Sequence, residues 1–176
     1  MEIKITTPQV EDAEGMQDVF YYAWLATYPN EEYGVTRDDV EDRFKDRHDE
    51  ARLEKRREAL RAPGPNQKIF VAKDGSKVVG LCRAVISGER NEIGAIYILP
   101  ECQGKGIGTM MWNEAKTFFD PTKDTFVKVV TYNTKAIAFY TKLGFVDTGN
   151  RFADERFRLK SGAIMPEMEM VIRSKK

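Results

Sequence analysis

Residues 92–131 constrain the fold of this chain more than any other stretch. An apolar, β-branched run, EIGAIYIL (92–99), ends at Pro100 and gives way to QGKGIG (103–108), with glycine at every second position. Ile107, Met110, Met111, Ala115 and Phe118 then recur at helical spacing until Asp120-Pro121, and a second strand-like run, TFVKVVT (125–131), follows. A strand that returns through a helix pairs in parallel, by a right-handed crossover.

The rest of the chain fits around that unit. IKITT (3–7) reads as a first strand, and Val10, Met16, Val19, Phe20, Ala23, Trp24 and Thr27 form the stripe of a first helix. A second, highly charged helix is expected from Thr36, its cap, to Arg61, with APGPN (62–66) ending it. KIFVAK (68–73), KVVGLCRAVI (77–86) and EIGAIYIL, joined by the short turns DGS and SGERN, predict an antiparallel meander. A short helix over 133–143 and two closing strands, FVDTG and EMEMVIR, complete the order. The fold class is therefore α+β, with a mixed, mostly antiparallel central sheet flanked by helices, and 176 residues predict one domain.

Twenty-eight basic residues balance 28 acidic ones, which argues against bulk binding to nucleic acid or an anionic membrane. Two cysteines, Cys82 and Cys102, and one histidine, His48, supply neither a disulfide framework nor a zinc cluster, so no metal is expected. The first residues lack a signal-peptide pattern and no run approaches a membrane span, so a cytoplasmic protein is expected.

The glycine loop carries the first chemistry. Amides at a helix start have no intrahelical acceptor and sit at the positive end of the helix dipole, so they bind phosphate where side chains stay clear. Gly104, Gly106 and Gly108 keep them clear, Lys105 adds charge, and Gln103 ties the loop to the strand end or to a ligand. The nucleoside-triphosphate loop is excluded because Leu99 stands where its first glycine belongs, and the dinucleotide fingerprint because Thr109 and Met111 stand where its third belongs.

At this point the sequence resembles the GNAT superfamily of acetyl-CoA-dependent N-acetyltransferases. IGAIYILPECQGKGIGTMMW (93–112) is similar to its acetyl-CoA motif, and NTKAIAFYTKLGF (133–145) to its second signature, through Asn133, Ala136, Tyr140 and Leu143-Gly144-Phe145. The resemblance implies that backbone groups of Ile96, Tyr97 and Ile98 pair with the pantetheine arm. It implies that amides of Gly104, Lys105, Gly106, Ile107, Gly108 and Thr109 hold the pyrophosphate, with Gln103, Asn133 and Phe139 also at the coenzyme. Tyr140 is implied to stand near the thioester sulfur, where a phenol can protonate a departing thiolate.

Transfer to an alkylamine also requires a base, because the amine is charged at neutral pH. Glu92, at the start of the strand leading to the loop, is the candidate, directly or through water; a solvated hairpin carboxylate is the alternative. Where many amino-terminal acetyltransferases of this superfamily carry a glutamate, five residues before the motif asparagine, this chain has Lys128. For the acceptor, Trp24 and Tyr28, with Tyr33 beside Glu31 and Glu32, offer aromatic surface and negative charge to a cationic amine; core packing and a solvated turn are the alternative. The segment 151–162 either closes over the acceptor or makes a homodimer contact. The expected function is acetyl transfer to a small-molecule primary amine, polyamine-like in the first instance. A protein amino-terminal or lysine acetyltransferase and a non-catalytic acetyl-CoA sensor are the competing readings.

Overall fold

The structure is a computed structural model that describes residues 2–174. Seven strands form one sheet among those residues: β1 (Ile3–Thr6), β2 (Gln67–Asp74), β3 (Lys77–Ser87), β4 (Arg90–Ile98), β5 (Thr125–Val130), β6 (Val146–Phe152) and β7 (Glu167–Ile172), in the order β1-β2-β3-β4-β5-β7-β6. Every neighbouring pair is antiparallel except β4 with β5, the parallel crossover expected from residues 92–131. The helices are α1 (Ala13–Thr27), α2 (Arg37–Arg43), α3 (Glu50–Arg61), α4 (Ile107–Phe118) and α5 (Thr134–Lys142).

The register assigns the two faces. Val71, Leu81 and Tyr97 lie opposite one another across β2, β3 and β4, and Tyr97 packs its ring against Phe20 of α1 at 5.3 Å. Phe70, Cys82 and Ile96 alternate to the other face, which α4 covers with Ile107, Met111 and Ala115. Burial of both faces accounts for the nearly unbroken apolar run of β3.

The expected second helix is instead two. Thr36 caps α2 as anticipated, its hydroxyl accepting from the Asp39 amide at 3.1 Å, but the helix stops at Arg43. Phe44, only 6 % exposed, turns in against Trp24 and Tyr21 with ring centroids 5.5 and 6.1 Å away. Asp49 then restarts the helix, its side chain accepting from the Arg52 amide. Burial of one aromatic ring thus interrupts a run whose charge pattern is continuous.

The parallel pair is short. Asn91, Glu92 and Ile93 align with Thr125, Phe126 and Val127, and the pairing ends there. A bulge between Arg83 and Ala84 on the β3 side leaves Gly94 as an extra residue of β4, and β4 turns away from β5 beyond it. A Cβ at Gly94 would meet Nε of Arg83 at 2.6 Å, so a larger residue there would push the arginine side chain aside. The result is a seam in the middle of the sheet, closed at Asn91 and open at Tyr97 and Val130.

Candidate active site

The open seam leads directly to the glycine loop. Leu99, Pro100 and a 3-10 turn to Cys102 bring the chain round, and α4 begins at Ile107 behind Gly106. Gly104 and Gly106 have φ of 75° and 80°, a region costly to any residue with a Cβ, and nothing lies within 4 Å of where either Cβ would be. The loop therefore presents uncovered amides at the positive end of a twelve-residue helix.

Two exposed side chains of the loop bond back to the preceding chain. Gln103 Nε2 donates to the Ile98 carbonyl at 3.2 Å, tying the loop to the strand end, and Lys105 Nζ donates to the Glu101 carbonyl at 2.8 Å. Gly108 is a site of close approach: the Phe139 ring of α5 lies 3.1 Å from where its Cβ would stand. Phe139 thus locks α5 against α4. Asn133 caps α5, its side-chain oxygen accepting from the Ala136 amide at 3.1 Å.

Tyr140 is 5 % exposed and held between Phe139 and Phe145, with ring centroids 5.1 and 5.3 Å away. Burial pushes its phenol well above the ordinary tyrosine range, with Cys82 and Tyr97 adding to the shift. It is therefore a neutral hydroxyl at physiological pH. Cys82 is itself buried, which pushes its thiol up to about 12.

Glu92 lies at the closed end of the seam, five residues back along β4 from Tyr97, paired across the sheet with Val85 and Phe126. Arg90 Nε is 2.8 Å from its carboxylate, and the same guanidinium reaches Glu169 at 2.8 Å and stacks on Phe126. Arg90 thus holds one oxygen of the Glu92 carboxylate in an ion pair.

On the face carrying α1, a cavity of about 140 Å³ opens at the wide end of the seam, bounded below by Tyr97 and Val130. Trp24 and Tyr28 line it, as nominated from sequence, and Tyr28 and Tyr97 bring their hydroxyls to 3.4 Å. Burial raises both phenols above the ordinary range. The Trp24 indole nitrogen is buried with no hydrogen-bond partner among the described residues. Arg43 stacks its guanidinium over Trp24 at 4.7 Å.

The negative charge is not where the sequence placed it. Glu31 and Glu32 sit on an exposed 3-10 turn outside the cavity, while Asp154 and Glu167 line it. Glu167 is half-buried, and burial raises its carboxyl above the ordinary range, Asp154 adding to the shift and Lys128 opposing it. Neither acid was singled out from sequence. A signal existed for Glu167 in EMEMVIR: with Met168 and Met170 buried on one face, the alternate glutamates, Glu167 and Glu169, fall on the other, and Glu169 is only 4 % exposed. Asp154 and Phe157 come from the 151–162 segment, which folds over the cavity and docks on α2 through the Ser161 amide, donating to Asp39 at 2.7 Å. A second cleft, of about 420 Å³ beside Asp12, Asp18, Lys77 and Glu101, contains none of the nominated residues.

A mixed sheet parted at one parallel seam, with a glycine-rich helix start at its open end and a cavity on the opposite face, defines a two-substrate transferase scaffold. The acetyltransferase (GNAT) family profile matches residues 16–145, and the chain belongs to that family. It is 33 % identical over 92 residues to the peptidyl-lysine N-acetyltransferase YjaB of Salmonella typhimurium, a match spanning 52 % of this chain and 59 % of that relative's length. The fold is similar to that of PaiA N-acetyltransferase from Thermoplasma acidophilum in complex with coenzyme A, with a TM-score of 0.71 at 22 % identity, over 99 % of this chain and 100 % of that one. It is also similar to a chimera of spermidine N-acetyltransferase SpeG from Vibrio cholerae and hSSAT, with a TM-score of 0.61 at 22 % identity over 99 % and 96 % of the two chains. Among the described residues no helix is long and apolar enough to cross a membrane.

Proposed function

We propose that the protein transfers the acetyl group of acetyl-CoA directly to a primary amine of a small cationic acceptor. The observation that carries this reading is the cavity itself, opening at the wide end of the seam beside the glycine loop: aromatic walls and two carboxylates, with Asp154 paired to Arg156 and the Arg43 guanidinium laid flat on Trp24, which leaves Glu167 as the carboxylate open to a cation. An alkylammonium group is attracted to both kinds of wall. In this reading the unpaired edge of Ile96–Ile98 receives the pantetheine arm as a strand would. The amides from Gly104 to Thr109 hold the pyrophosphate, Asn133 and Phe139 shape the arm's far wall, and Tyr140 protonates the sulfur. Glu92, the base expected from sequence, is engaged by Arg90 at 2.8 Å. The depth and raised proton affinity of Cys82 favour direct transfer over an acetyl-cysteine intermediate.

The likeness to a peptidyl-lysine acetyltransferase supports a second reading, in which the acceptor is a lysine side chain on a protein. Lysine and polyamines present the same alkylammonium head, so the cavity serves either. Release of coenzyme A, measured over polyamines, amino acids, aminoglycosides and lysine peptides against an acceptor-free control, decides between them. Release with small polyamines and not with peptides is expected; coenzyme binding without release for any amine favours a sensor.

Gly106→Ala tests the loop. Alanine held at φ of 80° costs about 1 kcal/mol; the variant's free loop relaxes to escape that cost and must recover the glycine conformation to hold the coenzyme, so affinity for coenzyme A should fall by up to roughly fivefold by calorimetry. ATP should not compete appreciably with coenzyme A for the loop, because the spacing of a triphosphate loop is absent.

A further inference from the structure

Deprotonation of the acceptor has no obvious agent at the closed end of the seam, where Arg90 occupies Glu92. At the open end a carboxylate is already in the cavity. We infer that Glu167 is the general base of the reaction. The inference rests on the acetyl-transfer reading above.

Three observations lead to it. Glu167 begins β7 and is paired across the sheet with Val130, the β5 residue that forms the cavity floor with Tyr97 of β4. It therefore stands at the edge of the gap into which the thioester would project. Asp154 reaches the same cavity from the turn after β6, so two acids share one small apolar space with Trp24, Tyr28 and Phe157. Arg156 pairs with Asp154 at 2.6 Å and holds that carboxyl down at about 2, so Asp154 stays charged and, together with burial, raises the proton affinity of Glu167. The groups around Glu167 from the surrounding elements are Lys128 of β5, Asp154 with its partner Arg156, Tyr28 at the cap that ends α1, Tyr97 of β4 and Arg43 of α2. Burial outweighs Lys128 in setting its proton affinity, in the direction a base requires.

The proton balance closes with groups on the page. An alkylammonium loses one proton to Glu167, and its nitrogen lone pair attacks the thioester carbonyl carbon, forming the C–N bond. The C–S bond breaks, and the sulfur takes a proton from Tyr140. The second nitrogen proton then restores the Tyr140 hydroxyl, through solvent or the tyrosines between, and Glu167 returns its own proton to bulk water. The products are the acetamide, free coenzyme A and one proton.

The test uses acetyl-CoA with putrescine, spermidine and Nα-acetyl-lysine amide, and, in parallel, with hydroxylamine, which is uncharged at neutral pH and needs no base. Glu167→Gln should lower kcat for the charged amines by roughly 10²-fold while hydroxylamine transfer and acetyl-CoA binding stay within a few-fold. The wild-type rate should show an acidic limb that the variant lacks. Equal losses on hydroxylamine and the alkylamines would reduce Glu167 to a structural residue and overturn the inference. So would wild-type rates in Glu167→Gln with the loss appearing in Glu92→Gln. Failure of the wild-type protein to release coenzyme with any of these amines, acetyl-CoA binding being intact, would instead overturn the acetyl-transfer reading beneath it.

Discussion

Tyr140→Phe is expected to lower the rate of acetyl transfer by about 10²-fold or more and to leave coenzyme affinity unchanged. The substitution removes one oxygen and nothing else. Its ring is fixed between Phe139 and Phe145 and is 5 % exposed, so a phenylalanine ring fills the same space. Loss of the proton donor therefore shows in kcat, with little change in stability. Steady-state coenzyme release and calorimetric titration with coenzyme A, on the same preparation, separate the two quantities. Normal binding with an unchanged transfer rate would remove Tyr140 from the chemistry and leave it as a core aromatic.

Asn91→Ala should be the most destabilising polar substitution in the sheet, at about 3 kcal/mol, or a fall in melting temperature of roughly 6–12 °C. Asn91 is 1 % exposed and is bound at both ends of its amide. Its nitrogen donates to the carbonyls of Asp120 and Lys123 at 2.8 and 3.1 Å, and its oxygen accepts from the Asp120 amide at 3.1 Å. Alanine leaves those backbone groups without partners in a place water reaches poorly. The same residue fixes the turn between α4 and β5 at the closed end of the seam, so coenzyme affinity should fall together with the melting temperature. Differential scanning calorimetry with and without coenzyme A measures both. A loss under 1 kcal/mol would show that water replaces the amide.

The strands, the crossover and the glycine loop were legible in sequence because each rests on local chemistry: periodicity, turn residues and the spacing of Gly104, Gly106 and Gly108. The break at Phe44 was not, since it depends on Trp24 and Tyr21, some twenty residues earlier in the chain, offering a pocket for one ring. The cavity shows the same division. Trp24 and Tyr28, which line it, are visible in sequence because aromatic residues cluster in one segment, and adjacency alone points to Glu31 and Glu32 for the charge. The structure draws the charge from Asp154 and Glu167, which meet Trp24 only after β5, β6 and β7 have assembled. The partner of Glu92 was within reach of sequence, because Arg90 lies two residues away on the same face of a strand.

The seam also gives the sheet an edge in its own middle. Strands β1–β4 and β5–β7 are two leaves joined in register over three residue pairs at Asn91–Ile93. Past those pairs, among the described residues, β4 has no strand on its β5 side, so it offers there what edge strands ordinarily offer only at the margin of a sheet: a row of backbone groups open to an extended chain.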